Sequence, residues 1–424
     1  MTAVSAWRSR DFRRLWGAAT ASALGGEIGE LALPVLALVW LGASAEELSW
    51  VRAATFLPYL LLTLWLGVLV DRWRRRPLMI TAETVSGITL LGIAGAALAG
   101  WLTVPTLVAA AALLGTMSVL HMLADFSFTP HVVSRDALPD ANARMTATYS
   151  AIGIGGSGVG GALVQWLTAP FAVAVNGVGR LLSVLLLRGI QAQEPPAAAA
   201  DAPVRQQVRE GFMALVRHRV VRALAAEATI WNLGSEVFML ALTVLVVDAR
   251  QDGPLVLGMI FMAGGLGAFL GASISARLTD RFGYGRSLIT AMLVGNTAPV
   301  IGVLFSSDAS LGSMVVLAAA FFASGLGTGI ANSQAVTVRQ LTVPEDLRGR
   351  VNASYRMLSW GALSIGALLG GWLISTIGGW PAAVLGTAAM AASTLPVALS
   401  PVRKMRHLDD DTLPTATNAG IDRS

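Results

Sequence analysis

Long apolar runs broken by short charged turns set the pattern of this chain. Residues 56–70 carry no charge, and residues 78–101 carry only Glu83. Between them lies the island Gly67-Val-Leu-Val-Asp71-Arg72-Trp-Arg74-Arg75-Arg76-Pro77. A second island follows about two hundred residues later as Leu278-Thr-Asp280-Arg281-Phe-Gly283-Tyr-Gly285-Arg286. Apolar runs of about 20 residues mark helices that cross a bilayer. Runs near 15–41, 50–70, 78–100, 104–126, 146–168, 170–190, 220–247, 254–276, 287–306, 311–333, 352–376 and 380–400 predict twelve of them. The runs are continuous rather than alternating, so helices are expected and a barrel is not.

Charge tests the count. Even turns hold Arg72 to Arg76, Arg135 and Arg144, residues 188–222, Arg281 and Arg286, and residues 339–350 with their arginines. Odd turns hold Glu46, Glu47, Asp248, Arg250, Asp252 and Asp308, with little that is basic. Cytoplasmic loops carry the excess of basic residues, which predicts both termini in the cytoplasm. The longest interruption is central. Residues 191–203 read as an Ala/Pro-rich linker, and 204–218 as a basic amphipathic helix on the membrane surface. The expected organisation is a six-helix bundle over 1–190, this linker and surface helix over 191–218, a second six-helix bundle over 219–400, and a polar tail over 401–424.

Composition agrees. The chain of 424 residues is 54% hydrophobic and 13% charged, far below the roughly 25% charge of soluble domains. There is no cysteine, and the four histidines are scattered, so neither a disulfide nor a metal-ligand spacing is present, and no cofactor is expected. The net charge of +5 lies in arginines beside membrane segments, which points to topology and anionic lipids rather than nucleic acid. No small-residue cleavage site follows the first arginines, so the first span is read as uncleaved. No nucleophile–base set and no phosphate-binding loop stands out, which argues against an enzyme and against direct use of ATP.

The halves repeat. Glu30 and Glu236, Gly155 and Gly361, Gly160 and Gly366, and Trp166 and Trp372 all stand 206 residues apart. A duplicated six-helix unit predicts two pseudo-symmetric bundles working around a central site. Charge at the bilayer centre costs about 2.5–3.5 kcal/mol on insertion scales, so intramembrane charges are candidates for function. Glu27 and Glu30 share a face of the first helix, and Asn232 and Glu236 share one of the seventh, with Thr229 and Thr243. These acids read either as proton carriers or cation anchors, or as structural ion pairs. Arg180 is expected to pair with Glu27 or Glu30, or to bind an anionic group. His121 and Asp125, four apart on the fourth helix, read as a proton relay or as an interfacial pair. Glu83 and Glu227 are expected to meet loop arginines, and Arg52 to snorkel to the interface.

The turn Gly67-x-Leu69-x-Asp71-Arg72-x-x-Arg75-Arg76 resembles the signature loop between helices two and three of the major facilitator superfamily. Ala32-Leu33-Pro34 and Leu138-Pro139 are similar to its macrolide-efflux and siderophore-exporter branch, and the resemblance covers roughly residues 12–400. It implies that Gly67, Asp71, Arg72, Arg75, Arg76, Asp280, Arg281 and Arg356 form a gate on the cytoplasmic side. Asp71 would meet the start of helix eleven and Arg356, and Asp280 the start of helix five. Arg74 replaces the loop's second glycine, whereas Gly283 keeps it in the second copy. Residues 155–161 are similar to the antiporter motif of drug exporters, with Ser157 where a proline is usual. Helix four lacks the buried arginine of proton-coupled drug exporters, which leaves the coupling ion open. The implied protein is a monomeric secondary transporter in the bacterial plasma membrane, exporting an amphipathic or lipophilic small molecule by proton antiport. A lipid or lysolipid flippase, an uptake permease and a non-transporting sensor remain alternatives.

Overall fold

A computed structural model describes residues 5–192, 194, 204–249, 253–305, 310–343 and 345–405. Among them the chain is helical and holds no strand. The helices are α1 (Arg10–Val35), α2 (Ala45–Leu61), α3 (Thr63–Arg72), α4 (Arg75–Leu98), α5 (Val104–Val132), α6 (Leu138–Leu167) and α7 (Ala169–Arg188). After them come α8 (Val204–Arg217), α9 (Arg219–Ala249), α10 (Gly253–Phe282), α11 (Tyr284–Leu304), α12 (Leu311–Thr342), α13 (Glu345–Ile377), α14 (Gly379–Ala392) and α15 (Thr394–Ala398). The expected linker falls mostly outside the described residues, as does the tail beyond 405.

Among the described residues ten helical stretches, with α14 and α15 counted as one, are long and apolar enough to cross a membrane, or eleven if α2 and α3 form one span bent by 56°. Pro58 lies in the last turn of α2, where its ring removes a donor and crowds the preceding carbonyl. Twelve spans were expected, and α6 is the one outside this set. It runs for 30 residues, but its Ser, Thr and Gly residues dilute its hydropathy.

The chain divides into two compact units, residues 1–201 with 251–262, and residues 202–250 with 263–424. In unit 1, α7 packs between α1 and α4, α5 packs on α2 and α4, and α6 packs on α1. In unit 2, α14 packs between α9 and α11, α12 packs on α11, and α13 packs on α9. Four of these five pairings in unit 1 thus recur in unit 2. Phe12, Leu15, Phe128 and Leu187 anchor a core at one end of unit 1, and Val220, Leu288, Val338 and Val397 anchor one in unit 2. Leu61, Trp65, Ile88, Leu185, Val315 and Leu385 stay exposed on helix faces, as expected where lipid is the solvent.

The helix predicted to lie on the membrane surface is α8, and it is docked. Leu215 and Val216 join Val221, Val343 and Val351 in a core against α9 and α13. Gly211 sits so close to the Arg350 backbone that a Cβ would stand 2.6 Å from its carbonyl oxygen. Glu210 pairs with Arg350 beside it.

Candidate functional site: a polar network inside the first unit

The first helix carries Glu27 and Glu30. Ser9 caps it by accepting from the Phe12 N–H, and Pro34 precedes a π-turn over Leu36–Trp40. Glu30 pairs with Arg52 of α2, whose guanidinium also lies 5.1 Å from the Phe56 ring centre. Arg52 thus turns to an acid. Glu27 makes no hydrogen bond or ion pair with any described residue. Gly156 of α6 leaves room for it, since a Cβ there would stand 2.7 Å from Glu27 Cβ.

Arg180 does not pair with Glu27 or Glu30. Its Nη1 donates to Glu83 Oε1 of α4 at 2.9 Å. The backbones explain this choice. α4 and α7 cross at Gly87 and Gly177, where a Cβ on either would stand 3.1 Å from the other's carbonyl oxygen. Glu83 lies one turn from Gly87, and Arg180 three residues from Gly177, so the two side chains meet beside the crossing. Glu83 is fully buried and far from loop arginines in its contacts. Ser22 of α1 also donates to its Oε1 at 3.0 Å. His121 Nδ1 stands 3.1 Å from the same oxygen, at ion-pair distance without hydrogen-bond alignment. His121 therefore faces Glu83, while Asp125 lies one turn further along α5 with its Oδ1 buried and unpartnered.

A cavity of about 120 Å³ opens beside this network, lined among others by Glu30, Pro34, Arg52, Ser118, Asn176 and Arg180. Drug-sized pockets run to about 300–1,000 Å³, and one water occupies roughly 30 Å³. This cavity therefore has room for a few waters or a small ion. Asn176 is buried in the groove formed by Gly25 and Gly29 of α1, and its Oδ1 has no partner.

In unit 2, Asn232 and Glu236 lie on α9 as predicted. Glu236 is buried beside Gly366 of α13, where a Cβ would stand 3.1 Å from Glu236 Cβ. Glu227, expected to meet loop arginines, instead faces an amide, with Asn296 Nδ2 of α11 at 3.5 Å from its Oε1. The same nitrogen lies 3.0 Å from Ser393 Oγ and 3.0 Å from Thr394 Oγ1. Asn296 was missed, although a lone amide inside an apolar run was its signal.

The residues assigned to the gate are described each within its own unit. The side chain of Asp71 lies outside those described, Arg72 and Asp280 are exposed, and Arg281 lies over the Phe282 ring. A Cβ on Gly67 would meet nothing within 4 Å, and Arg356 is the twelfth residue of α13. Arg75 and Arg76 have a task inside unit 1. Their backbone N–H groups donate to the two carboxylate oxygens of Glu194 at 2.6 and 2.8 Å. Pro77 follows without an N–H, so Glu194 takes the free donors that open α4. Arg76 also donates to the carbonyls of Leu187 and Arg188 at the end of α7. Glu194 sat unmarked in the linker; no spacing rule singles it out.

Two repeated units of membrane-length helices, with buried charges in their interiors, make a multi-pass membrane protein. The family model for the Major Facilitator Superfamily matches residues 15–360 and 232–415, and the chain belongs to that superfamily. It is 28% identical over 370 residues to the multidrug efflux pump Tap of Mycobacterium tuberculosis, covering 84% of this chain and 85% of that one. It is 25% identical over 309 residues to the enterobactin exporter EntS of Escherichia coli, covering 72% and 71%. Among solved structures, a bacterial homologue of the iron transporter ferroportin in its inward-facing state matches with TM-score 0.72 at 17% identity, over 92% of this chain and 98% of that one. The nucleoside transporter NupG, as its D323A mutant, matches with TM-score 0.72 at 10% identity, over 92% and 99%. These two share the fold.

Proposed function

We propose that the protein is a secondary exporter of an amphipathic, largely apolar small molecule, driven by proton antiport. The observation that carries this reading is Glu27, an intramembrane acid on α1 with no ion-pair partner among the described residues. Such a group can take either a proton or a cationic substrate, and exchange between the two is antiport. The efflux activities named for Tap and EntS support the outward direction. Glu236 and Asn232 on α9 would serve as the repeat-related wall of the substrate path. The charged turns around Asp71 and Asp280 would set the balance between the two access states. The protein would work as a monomer in the bacterial plasma membrane, with both termini in the cytoplasm.

The test is transport in proteoliposomes with an imposed pH gradient and a panel of lipophilic cationic drugs. Wild type is expected to concentrate at least one drug and to release protons as it does so, and Glu27→Gln to lose both. Drug movement without proton release would sink the antiport, and point to another ion or to lipid-like facilitated movement.

A further inference from the structure

Four ionisable groups from three helices of unit 1 share one buried node. Glu83 of α4 receives Arg180 of α7 and Ser22 of α1, with His121 of α5 at 3.1 Å. Asp125 lies one turn along α5 from His121 and interacts with it electrostatically, as it does with Glu83. Tyr149 of α6 also interacts electrostatically with Asp125 and Glu83.

The charges do not balance. Arg180 supplies one positive charge, and Glu83 and Asp125 two negative ones. With His121 neutral, the node carries one uncompensated negative charge in a medium that penalises it. The hydrogen bonds show the same deficit. Glu83 Oε2 and Asp125 Oδ1 are both buried acceptors without a donor. A single added proton, on the imidazole or on a carboxyl, would cancel the charge and supply a donor.

We propose that Glu83, His121 and Asp125 together bind one exchangeable proton, with Arg180 as the fixed counter-charge. The proton belongs to the set rather than to one residue, because strongly interacting groups titrate jointly. Arg180 links the node to the cavity, since it both lines that space and bonds Glu83. Its Nε is buried without a partner, as is Asn176 Oδ1 in the cavity wall. Water entering the cavity would find both groups and extend a path toward His121. The use of this proton for coupling rests on the antiport proposed above; its binding does not.

The experiment is acid titration of the purified full chain in lipid nanodiscs over roughly pH 8 to 5, the range in which imidazole responds. Asp125→Asn keeps the shape of the side chain and removes the surplus charge, so it is expected to take up about one proton fewer than wild type. Equal uptake overturns the proposal. In the wild type alone, the infrared difference between the two ends of the titration must hold a buried carboxyl or imidazolium band. A spectrum without one overturns the proposal with no variant needed. In proteoliposomes, Asp125→Asn is expected to move drug down its own gradient but no longer respond to the pH gradient. A variant that still responds overturns the coupling role. A wild type that moves no drug overturns the export reading, while the titration still decides the node.

Discussion

Unit 1 and unit 2 set their buried polar groups on equivalent helices and fill them with different chemistry. In unit 1 the node joins α1, α4 and α7, with α5 beside them, and its core is the ion pair of Glu83 and Arg180. In unit 2 the node joins α9, α11 and the α14–α15 break, and its core is an amide between two hydroxyls and Glu227. The repeat placed a polar node on corresponding helices in both units. It did not preserve charge. The unit 1 node concentrates fixed charge and a histidine; the unit 2 node holds one carboxyl, Glu227, facing a neutral amide.

The sharpest way to break this comparison is to remove one partner from each node. Arg180→Met leaves Glu83 buried without its cation and is expected to cost about 3–5 kcal/mol, read as a large fall in melting temperature in detergent. Adding Glu83→Gln to it should recover much of the loss. In unit 2, Asn296→Leu strands the Glu227, Ser393 and Thr394 side chains and is expected to cost about 1–3 kcal/mol. Glu227→Gln retains an acceptor for Asn296 and should stay within about 1 kcal/mol of wild type. If Arg180→Met proved as mild as Glu227→Gln, the two nodes would not differ in the way their contacts imply.

The ends of the units differ as well. Glu194→Ala uncaps α4 and is expected to cost about 0.5–2 kcal/mol, with faster hydrogen exchange at Arg75 and Arg76. The smallest effects come from pH. At the start of α9, His218 Nδ1 accepts from the Val221 N–H at 3.3 Å, and burial holds this imidazole below its ordinary pKa. The unfolded chain therefore binds the proton more readily, and the stability from this contact falls as pH drops below about 6.5. At the start of α6, Asp140 is held below the usual carboxylate range by the Arg144 side chain first and then by the Ala6 N–H. Its contribution is present above about pH 3.9 and lost as pH falls through the lower folded value. Hydrogen exchange during acidification should loosen Val221 well before Ala6. The reverse order would refute both assignments.

Much of the fold was legible in the sequence. Apolar runs of membrane length, the doubled charged turn and the 206-residue spacing of Glu30 and Glu236 follow from solvent and duplication, and both write themselves into composition and period. α6 strained that reading because small and hydroxyl residues lower its hydropathy without shortening it. The site was legible only as a set of suspects. Each intramembrane charge stood out from its neighbours, so Glu27, Glu30, His121, Asp125, Arg180 and Glu236 could be named in advance.

Partnership was another matter. Arg180 went to Glu83 rather than to α1 because two glycines let α4 and α7 approach, and Arg52 took Glu30 from a neighbouring helix. Glu194 became a helix cap only because the chain returns past the start of α4. The sequence alone determined which groups lipid forces inward, since that cost depends on the residue itself. Which of them meet depends on helix crossings and rotations, and those are properties of the packed structure.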